Sequence, residues 1–413
     1  MIPVPPYPLF LETRPMIALS KRADALAESA TMAITAKAKA LKAAGQDVIG
    51  FGAGEPDFAT PEHIVEAAQA ACADPAFHHY TGVAGNEELR SAVAAKTNEM
   101  TGLDYAPSQV VVTNGAKHAV FNAFAAVLDE GDEVLVPAPY WVTYPDIISW
   151  LGGVPVAVPT DETVGFRASV QQLESYCTNR TKALLFVSPS NPTGAVYSPE
   201  ETRALAEWAA EKGIWVITDD IYGDLVYGES RFSSLVGAVP ELAERALVLN
   251  GVSKSYAMTG WRLGWMLGPP AAIRQISRLQ GHMTSNVSNV SQAAALTALT
   301  GPQEPVIKMR LAFDRRRKVM YEGLQAIEGI ECCEPEGAFY AFPSVTGLFA
   351  REIKGKKLGS SMDVADLLLS EAGVAVVPGE AFGAPGYLRL SYALADDLLE
   401  EGLGRIKHLL SRS

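Results

Sequence analysis

The chain has 413 residues, 48% of them hydrophobic and 20% charged, an ordinary globular composition with length enough for two domains. Forty-seven acidic residues against 34 basic ones give a net charge of −13, with no basic run to hold phosphodiesters or anionic lipid. Nucleic acid and membrane surfaces are therefore excluded as expected partners, and no 18-residue apolar stretch offers a bilayer span.

The start, "MIPVPPYPLFLETRP", is proline-rich and lacks a basic head followed by an apolar run. It reads as an extended arm that packs on a partner subunit and not as a secretion signal. A helix is expected near 32–44, stopped by Gly45. Short apolar runs follow at 47–52, 109–115, 133–139, 154–160, 182–189, 215–220, 246–252 and 263–269. Several are apolar at consecutive positions, the pattern of strands buried on both faces of a mainly parallel sheet. Helices are expected between them at 86–102, 116–131 and 198–213. The last carries Ser198 as N-cap, Pro199 in the first turn, Glu201 to close a capping box and Gly213 as a stop. Strand–helix alternation of this kind implies an α/β fold with helices on both faces of the sheet.

From about residue 303 the texture changes. An amphipathic helix over roughly 304–327 precedes strand-like segments at 337–345, 373–379 and 387–393, a helix near 362–372 and a terminal helix. This predicts a smaller α+β domain joined by the helix near 32–44, and so built from both chain ends. The expected division is 1–55 for the arm and part of the small domain, 56–302 for the large domain and 303–413 for the rest of the small one. Cys72, Cys177, Cys332 and Cys333 show no CxxC spacing, which points to a reduced, cytoplasmic setting. The six histidines show no ligand spacing, so no metal is expected.

In such sheets ligands bind beyond the carboxyl ends of the strands. Four of those ends carry polar groups: "TNGAK" (113–117), "SPSNPTG" (188–194), "TDDIYGD" (218–224) and "NGVSKS" (250–255). Lys254 lies between two serines with Arg262 shortly after it. An amine part-buried beside a cation loses basicity and becomes a nucleophile able to form an imine. Arg262 suits a phosphate dianion through paired hydrogen bonds, and Gly115 and Ala116 open a helix whose N–H groups favour the same anion. An imine-forming lysine beside a phosphate site suggests pyridoxal 5′-phosphate. That cofactor needs a buried carboxylate at its ring nitrogen, for which Asp219 is placed, with Asp220 on the other face of the strand. Asn191 and Tyr222 supply donors for the phenolic oxygen, and Trp141 in "PYWVTYPD" offers a stacking face.

With these residues placed, the sequence resembles the class I, fold-type I pyridoxal-phosphate aminotransferases of the aspartate aminotransferase-like group. The resemblance runs in order through "GEPDFATPEHI" (54–64), "YTGVAGNEELR" (80–90), "TNGAKHAVFN", "PYWVTYP", "SPSNPTGAVYS", "TDDIYGDLVY", "NGVSKSYAMTGWRLGW" and "RLSYA" (389–393), nearly the whole chain. It implies a seven-stranded, mainly parallel sheet in the large domain and a homodimer with shared active sites. It also implies that Lys254 carries the cofactor and moves the substrate Cα proton, assisted by Asp219 and Tyr222. Gly115, Ala116, Ser253 and Arg262 would cup the phosphate, and Tyr80 would reach the phosphate of the neighbouring subunit. Arg389 would hold the substrate α-carboxylate, with Asn191, Trp141 and the backbone at Gly54 beside it.

The same resemblance bears on the substrate. Lys117 matches a lysine that meets the side-chain carboxylate of aspartate or glutamate, and Ser29 and Thr31 match hydroxyls near it. The segment 284–292 matches one contributed by the neighbouring subunit, although Val287 and Asn289 depart from the usual proline and Thr/Ser. The expected reaction is L-aspartate plus 2-oxoglutarate to oxaloacetate plus L-glutamate, by a ping-pong route. Alternatives are prephenate, aromatic or alanine-type substrates, a pyridoxal-phosphate lyase on the same fold, and a catalytically silent binding protein.

Overall fold

The computed structural model describes residues 20–24, 26 and 30–411. The proline-rich arm and Ser29 lie outside the described residues, as does the side chain of Thr31. Eight strands matter for the site: β1 (Ile49–Gly50), β2 (Val110–Thr113), β3 (Glu133–Ala138), β4 (Val154–Pro159), β5 (Thr181–Val187), β6 (Trp215–Asp219), β7 (Ala246–Gly251) and β8 (Gly264–Leu267). The last seven form one sheet in the order β2-β8-β7-β6-β5-β3-β4. Its strands run parallel except β8, which is antiparallel to both neighbours, β2 and β7.

The unalternating apolar runs have a direct cause. Ala183 and Leu185 of β5 belong to the core on one face of the sheet, while Leu184 and Phe186 belong to the core on the other. Every residue of β7 is buried. A strand covered on both faces has no polar side to show, and each fully buried Leu or Phe contributes roughly 1.5–3 kcal/mol.

The helix Pro199–Lys212 forms with the capping chemistry read from its sequence. The Glu201 N–H donates to Ser198 Oγ at 3.1 Å, the Ser198 N–H donates to Glu201 Oε2 at 2.8 Å, and Gly213 ends the helix at φ 69°. The helix Ala116–Val127 stops short of the expected 131, because Leu128 is extended (φ −96°, ψ 135°) and already feeds the chain toward β3. The long C-terminal helix spans Glu304–Gln325, and the strand-like segment at 337–345 reduces to Tyr340–Ala341.

The first apolar run does not join the large sheet. β1 pairs in parallel with Val374–Ala375, so this early piece of chain belongs with the C-terminal layer. A three-stranded antiparallel sheet there sets Leu388–Ser391 between Val377–Pro378 and Tyr340–Ala341. The helices Ala30–Ala43, Glu304–Gln325, Ser361–Ala372 and Asp396–Leu410 complete a smaller α+β domain built from both ends of the chain. Arg389 stands on its middle strand, in register with Val377.

Candidate active site

A cavity of about 510 Å³ lies where the carboxyl ends of β2, β5, β6 and β7 face the small domain. A larger groove of about 810 Å³, bordered by segments 92–99, 223–232 and 299–314, contains none of the expected site residues. The smaller cavity gathers nearly all of them. Ala116 and Lys117 come from the helix after β2, Asn191 from the turn after β5, and Asp219 and Tyr222 from β6 and its following turn. Ser253, Lys254 and Arg262 come from the loop joining β7 to β8, with Trp141, Gly54 and Arg389 completing the lining.

Lys254 projects into the cavity and donates from Nζ to the Gly54 carbonyl at 2.5 Å. Burial first, then the Arg389 and Arg262 charges, lower its pKa to about 8, against the opposing pull of Glu55 and Asp219. This is the weakly basic amine that imine chemistry needs, although burial outweighs the neighbouring cation in producing it. Asp219 is buried and accepts from the Tyr144 hydroxyl at 2.8 Å and from the Ile221 N–H at 3.2 Å. Burial raises its pKa despite those bonds and the Lys254 charge, so the carboxylate is left wanting a cationic partner. Asp220 is also buried but takes a different partner, the Thr218 hydroxyl, and burial raises it to about 7.

Gly115 caps the helix Ala116–Val127 at φ 84°, a conformation that favours glycine. A Cβ there would lie 2.5 Å from Arg262 Nη2, and one on Gly264 would lie 2.5 Å from the Ala116 nitrogen. Two glycines thus let the guanidinium and the helix N-terminus close on each other. Arg262 Nη1 donates to the Thr259 carbonyl at 2.8 Å, and among the described residues no carboxylate neutralises it. Lys117 Nζ stands 4.8 Å from the Trp141 ring centroid, its pKa lowered by burial and by Arg262. Trp141 in turn meets Tyr144 edge-on at 5.2 Å.

Arg389 is only 2% exposed. Its Nη1 donates to Asn191 Oδ1 at 3.0 Å and its Nη2 to the Gly52 carbonyl at 2.9 Å, while Nε has no partner among the described residues. The guanidinium lies 4.5 Å from the Tyr340 ring centroid and 5.0 Å from that of Phe382. A buried cation without a counter-charge is costly unless an anion arrives. Gly54 lines the same cavity and its carbonyl accepts from Lys254, while the Gly52 carbonyl accepts from the arginine. Tyr222 donates to or accepts from the Tyr340 hydroxyl at 2.9 Å.

The family description "Aminotransferase class I and II" matches residues 46–406. The chain belongs to that family. This aminotransferase is 59% identical over 395 residues to an aspartate aminotransferase of Streptomyces avermitilis, covering 96% of this chain and 97% of that one. It is 45% identical to an aspartate/prephenate aminotransferase of Cereibacter sphaeroides, covering 92% and 95% of the two chains. The crystal structure of the aspartate aminotransferase from Rhizobium meliloti superimposes with a TM-score of 0.92 at 41% identity, over 96% of this chain and 99% of that one. The aminotransferase exchanges amino groups between amino acids and 2-oxo acids, and its family works with pyridoxal 5′-phosphate.

The residues present fit that cofactor. An un-neutralised Arg262 against a bare helix N-terminus suits a phosphate, a buried Asp219 lacking a cation suits a protonated ring nitrogen, and Lys254 is the weakly basic amine between them. Sequence reasoning missed Tyr144, which holds Asp219, and Tyr340, which holds Tyr222 and underlies Arg389. Tyr144 was visible inside "PYWVTYPD", but only the helix Thr143–Trp150 turns it toward β6. Tyr340 offered no signal beyond an aromatic in an apolar strand.

One expected residue stands apart. Tyr80 is 91% exposed and does not line this chain's cavity. Nearby, Asn289 Nδ2 donates to the Phe77 and His79 carbonyls at 3.1 and 2.6 Å, and the Thr81 hydroxyl donates to Asn289 Oδ1 at 2.8 Å. Val287 is buried in a core that also contains Val110 and Val112 of β2. Asn289, one of the two positions that depart from the family pattern, thus braces the Tyr80 segment on its own chain.

Proposed function

We propose that the enzyme transfers the amino group of L-aspartate to 2-oxoglutarate, giving oxaloacetate and L-glutamate in two half-reactions. The observation that carries this is the pair of un-neutralised cations, Arg389 and Lys117, lining one cavity with Lys254. Aspartate, glutamate and their oxo acids each present two carboxylates, one for each cation. When bound, pyridoxal phosphate supplies the electron sink that makes the substrate Cα–H acidic. Lys254 Nζ holds and moves that proton, Asp219 keeps its charge facing the ring-nitrogen position, and Tyr144 holds Asp219 in place. Tyr222 and Asn191 supply the polar edge beside the lysine, and Trp141 supplies a flat face. Gly115, Ala116, Ser253 and Arg262 receive the phosphate. Arg389 fixes the α-carboxylate and with it the direction of the Cα–H bond, so orientation lowers the barrier.

We further read the enzyme as a cytoplasmic homodimer, with Tyr80 reaching the phosphate in the neighbouring copy. Its nearly complete exposure on a loop braced by Asn289 supports this reading, and so do four cysteines that are all free. Domain boundaries fall at 55/56 and 302/303, next to the segment that leaves β1 and the start of the helix Glu304–Gln325. Prephenate remains a second amino acceptor, because it too carries two carboxylates and relatives such as the Cereibacter sphaeroides enzyme bear that name.

The test is Lys117→Ala assayed with aspartate and with alanine, each against 2-oxoglutarate. Loss of one side-chain carboxylate contact is expected to lower kcat/KM for aspartate by about tenfold or more and to leave alanine nearly unchanged. Equal losses for both donors, or none, would remove the dicarboxylate reading. Prephenate with glutamate on the same variant decides the second acceptor.

A further inference from the structure

Residues 51–60 leave β1 in the small domain, cross beside the cavity and enter the helix Glu62–Ala73 of the large one. Two of the cations that line the cavity are bonded to this segment: Arg389 to the Gly52 carbonyl at 2.9 Å and Lys254 to the Gly54 carbonyl at 2.5 Å. Its inner side is tied to the loop that carries Lys254. The Thr259 hydroxyl donates to Glu55 Oε2 at 2.8 Å, the Thr60 hydroxyl donates to the Ala257 carbonyl at 2.8 Å, and Trp261 Nε1 donates to Thr60 Oγ1 at 3.0 Å.

Its outer side is gripped by one arginine. Arg316, on the helix Glu304–Gln325, is 8% exposed and donates from Nη1 to Asp57 Oδ1 at 2.8 Å and from Nε to Asp396 Oδ1 at 2.6 Å. Its guanidinium also lies 5.2 Å from the Phe58 ring centroid, and that ring meets Phe313 edge-on at 5.6 Å. Asp396 is shared, since its other oxygen accepts from Arg315 Nη2 at 2.5 Å. The added bond to Asp57 and the stacking on Phe58 fix the segment itself, in two dimensions, against the small domain.

We propose that residues 51–60 act as a strap whose placement sets Arg389 and Lys254, and that Asp57 and Arg316 are positioning residues that act through it. The proposal rests on the reading of Arg389 as the α-carboxylate site. A strap displaced by a fraction of an ångström withdraws the Gly52 carbonyl from Arg389 and the Gly54 carbonyl from Lys254 together, so binding and proton transfer are tuned by one element. Neither Asp57 nor Arg316 lines the cavity.

The experiment compares two carboxylates bonded to the same arginine. Succinate, a dicarboxylate with no amino or oxo group, is titrated into the holoenzyme of Asp57→Asn, Arg316→Met and Asp396→Asn. Asp57→Asn and Arg316→Met are expected to weaken succinate roughly tenfold, while Asp396→Asn changes it less than about twofold and lowers only the thermal midpoint. Arg316→Lys, which keeps one charged contact, restores part of the loss. Equal weakening by Asp57→Asn and Asp396→Asn, or no weakening by Asp57→Asn, overturns the proposal.

A second reading uses the cofactor-free full chain, where the pH midpoint of Lys254 is followed through its reaction with an amine-modifying reagent. Glu55 and the Gly54 carbonyl sit on the strap and favour the ammonium, whereas Arg389 and Arg262, which oppose it, and Asp219, which favours it, do not sit there. Asp57→Asn is therefore expected to move the midpoint down, and an unchanged midpoint overturns the proposal. Arg389→Ala with undiminished succinate affinity removes the carboxylate reading, and the lysine midpoint then judges the strap alone.

Discussion

The floor of the cavity comes from the ends of neighbouring strands in one sheet, whereas the wall opposite is collected from distant parts of the chain. On the floor, Asp219 ends a strand and Lys117, Asn191 and Lys254 each follow one whose position the sheet fixes. On the wall, Arg389 bonds a carbonyl 337 residues earlier, and Tyr340 reaches Tyr222 across 118 residues. The floor carries the charges that suit a fixed guest, the cofactor. The wall carries those that suit a passing one, and it belongs largely to the domain that does not hold the cofactor. Chemistry sits on the floor and selection largely on the wall, with Lys117 as the selecting residue that the floor contributes.

The largest effect that would break this division is on the floor. Lys254→Ala is expected to lower transamination by roughly 10⁴-fold or more, since no other amine stands at the same strand end, while the dissociation constant for succinate changes little. A variant with substantial turnover would move proton transfer elsewhere. On the wall, Arg389→Met is expected to lower kcat/KM by roughly 10²-fold, carried mostly by KM. Its ligand-free thermal midpoint should hold or rise, because the guanidinium is buried without a carboxylate and with Nε unpartnered. A fall in the midpoint together with an unchanged KM would make Arg389 a structural residue.

The smallest effect is a pH dependence that sharpens the view of the floor. In the cofactor-free chain Lys254 titrates near about 8, below its ordinary value of 10.5. Between those values the unfolded chain holds a proton that the folded chain has released, so folding becomes more favourable as pH rises through that window. The denaturant midpoint of the wild type is expected to gain on that of Lys254→Met between pH 7.5 and 10. A constant difference would mean that burial does not hold the amine low.

Much of the floor was legible because its residues sit in short motifs at strand ends, where glycine, asparagine and charge are out of place unless they serve a ligand. The capping box of Ser198 and Glu201 was legible for a similar reason, since local chemistry decides it. What escaped depends on three-dimensional closure. The partners of Asp219 and Tyr222 are tyrosines whose hydroxyls find them only after helix and sheet have packed. The run at 47–52 looks like any other buried strand, yet its partner is Val374–Ala375, and no local pattern names that partner. Arg389 was recognisable only through family resemblance, because an arginine in "YLRLSYA" reads equally well as a surface ion pair.

The reversed strand β8 has a consequence for how the molecule is made. It enters the sheet between β2 and β7, so the first strand of the large sheet stays unpaired on that side until the last one has been synthesised. Gly264 of β8 then packs against the Ala116 nitrogen, and Arg262 meets Gly115 at the same closure. A nascent chain that stops before β8 has therefore not yet brought these groups together. Occupancy of the site would thus report that this non-local pairing of β2 with β8 has formed.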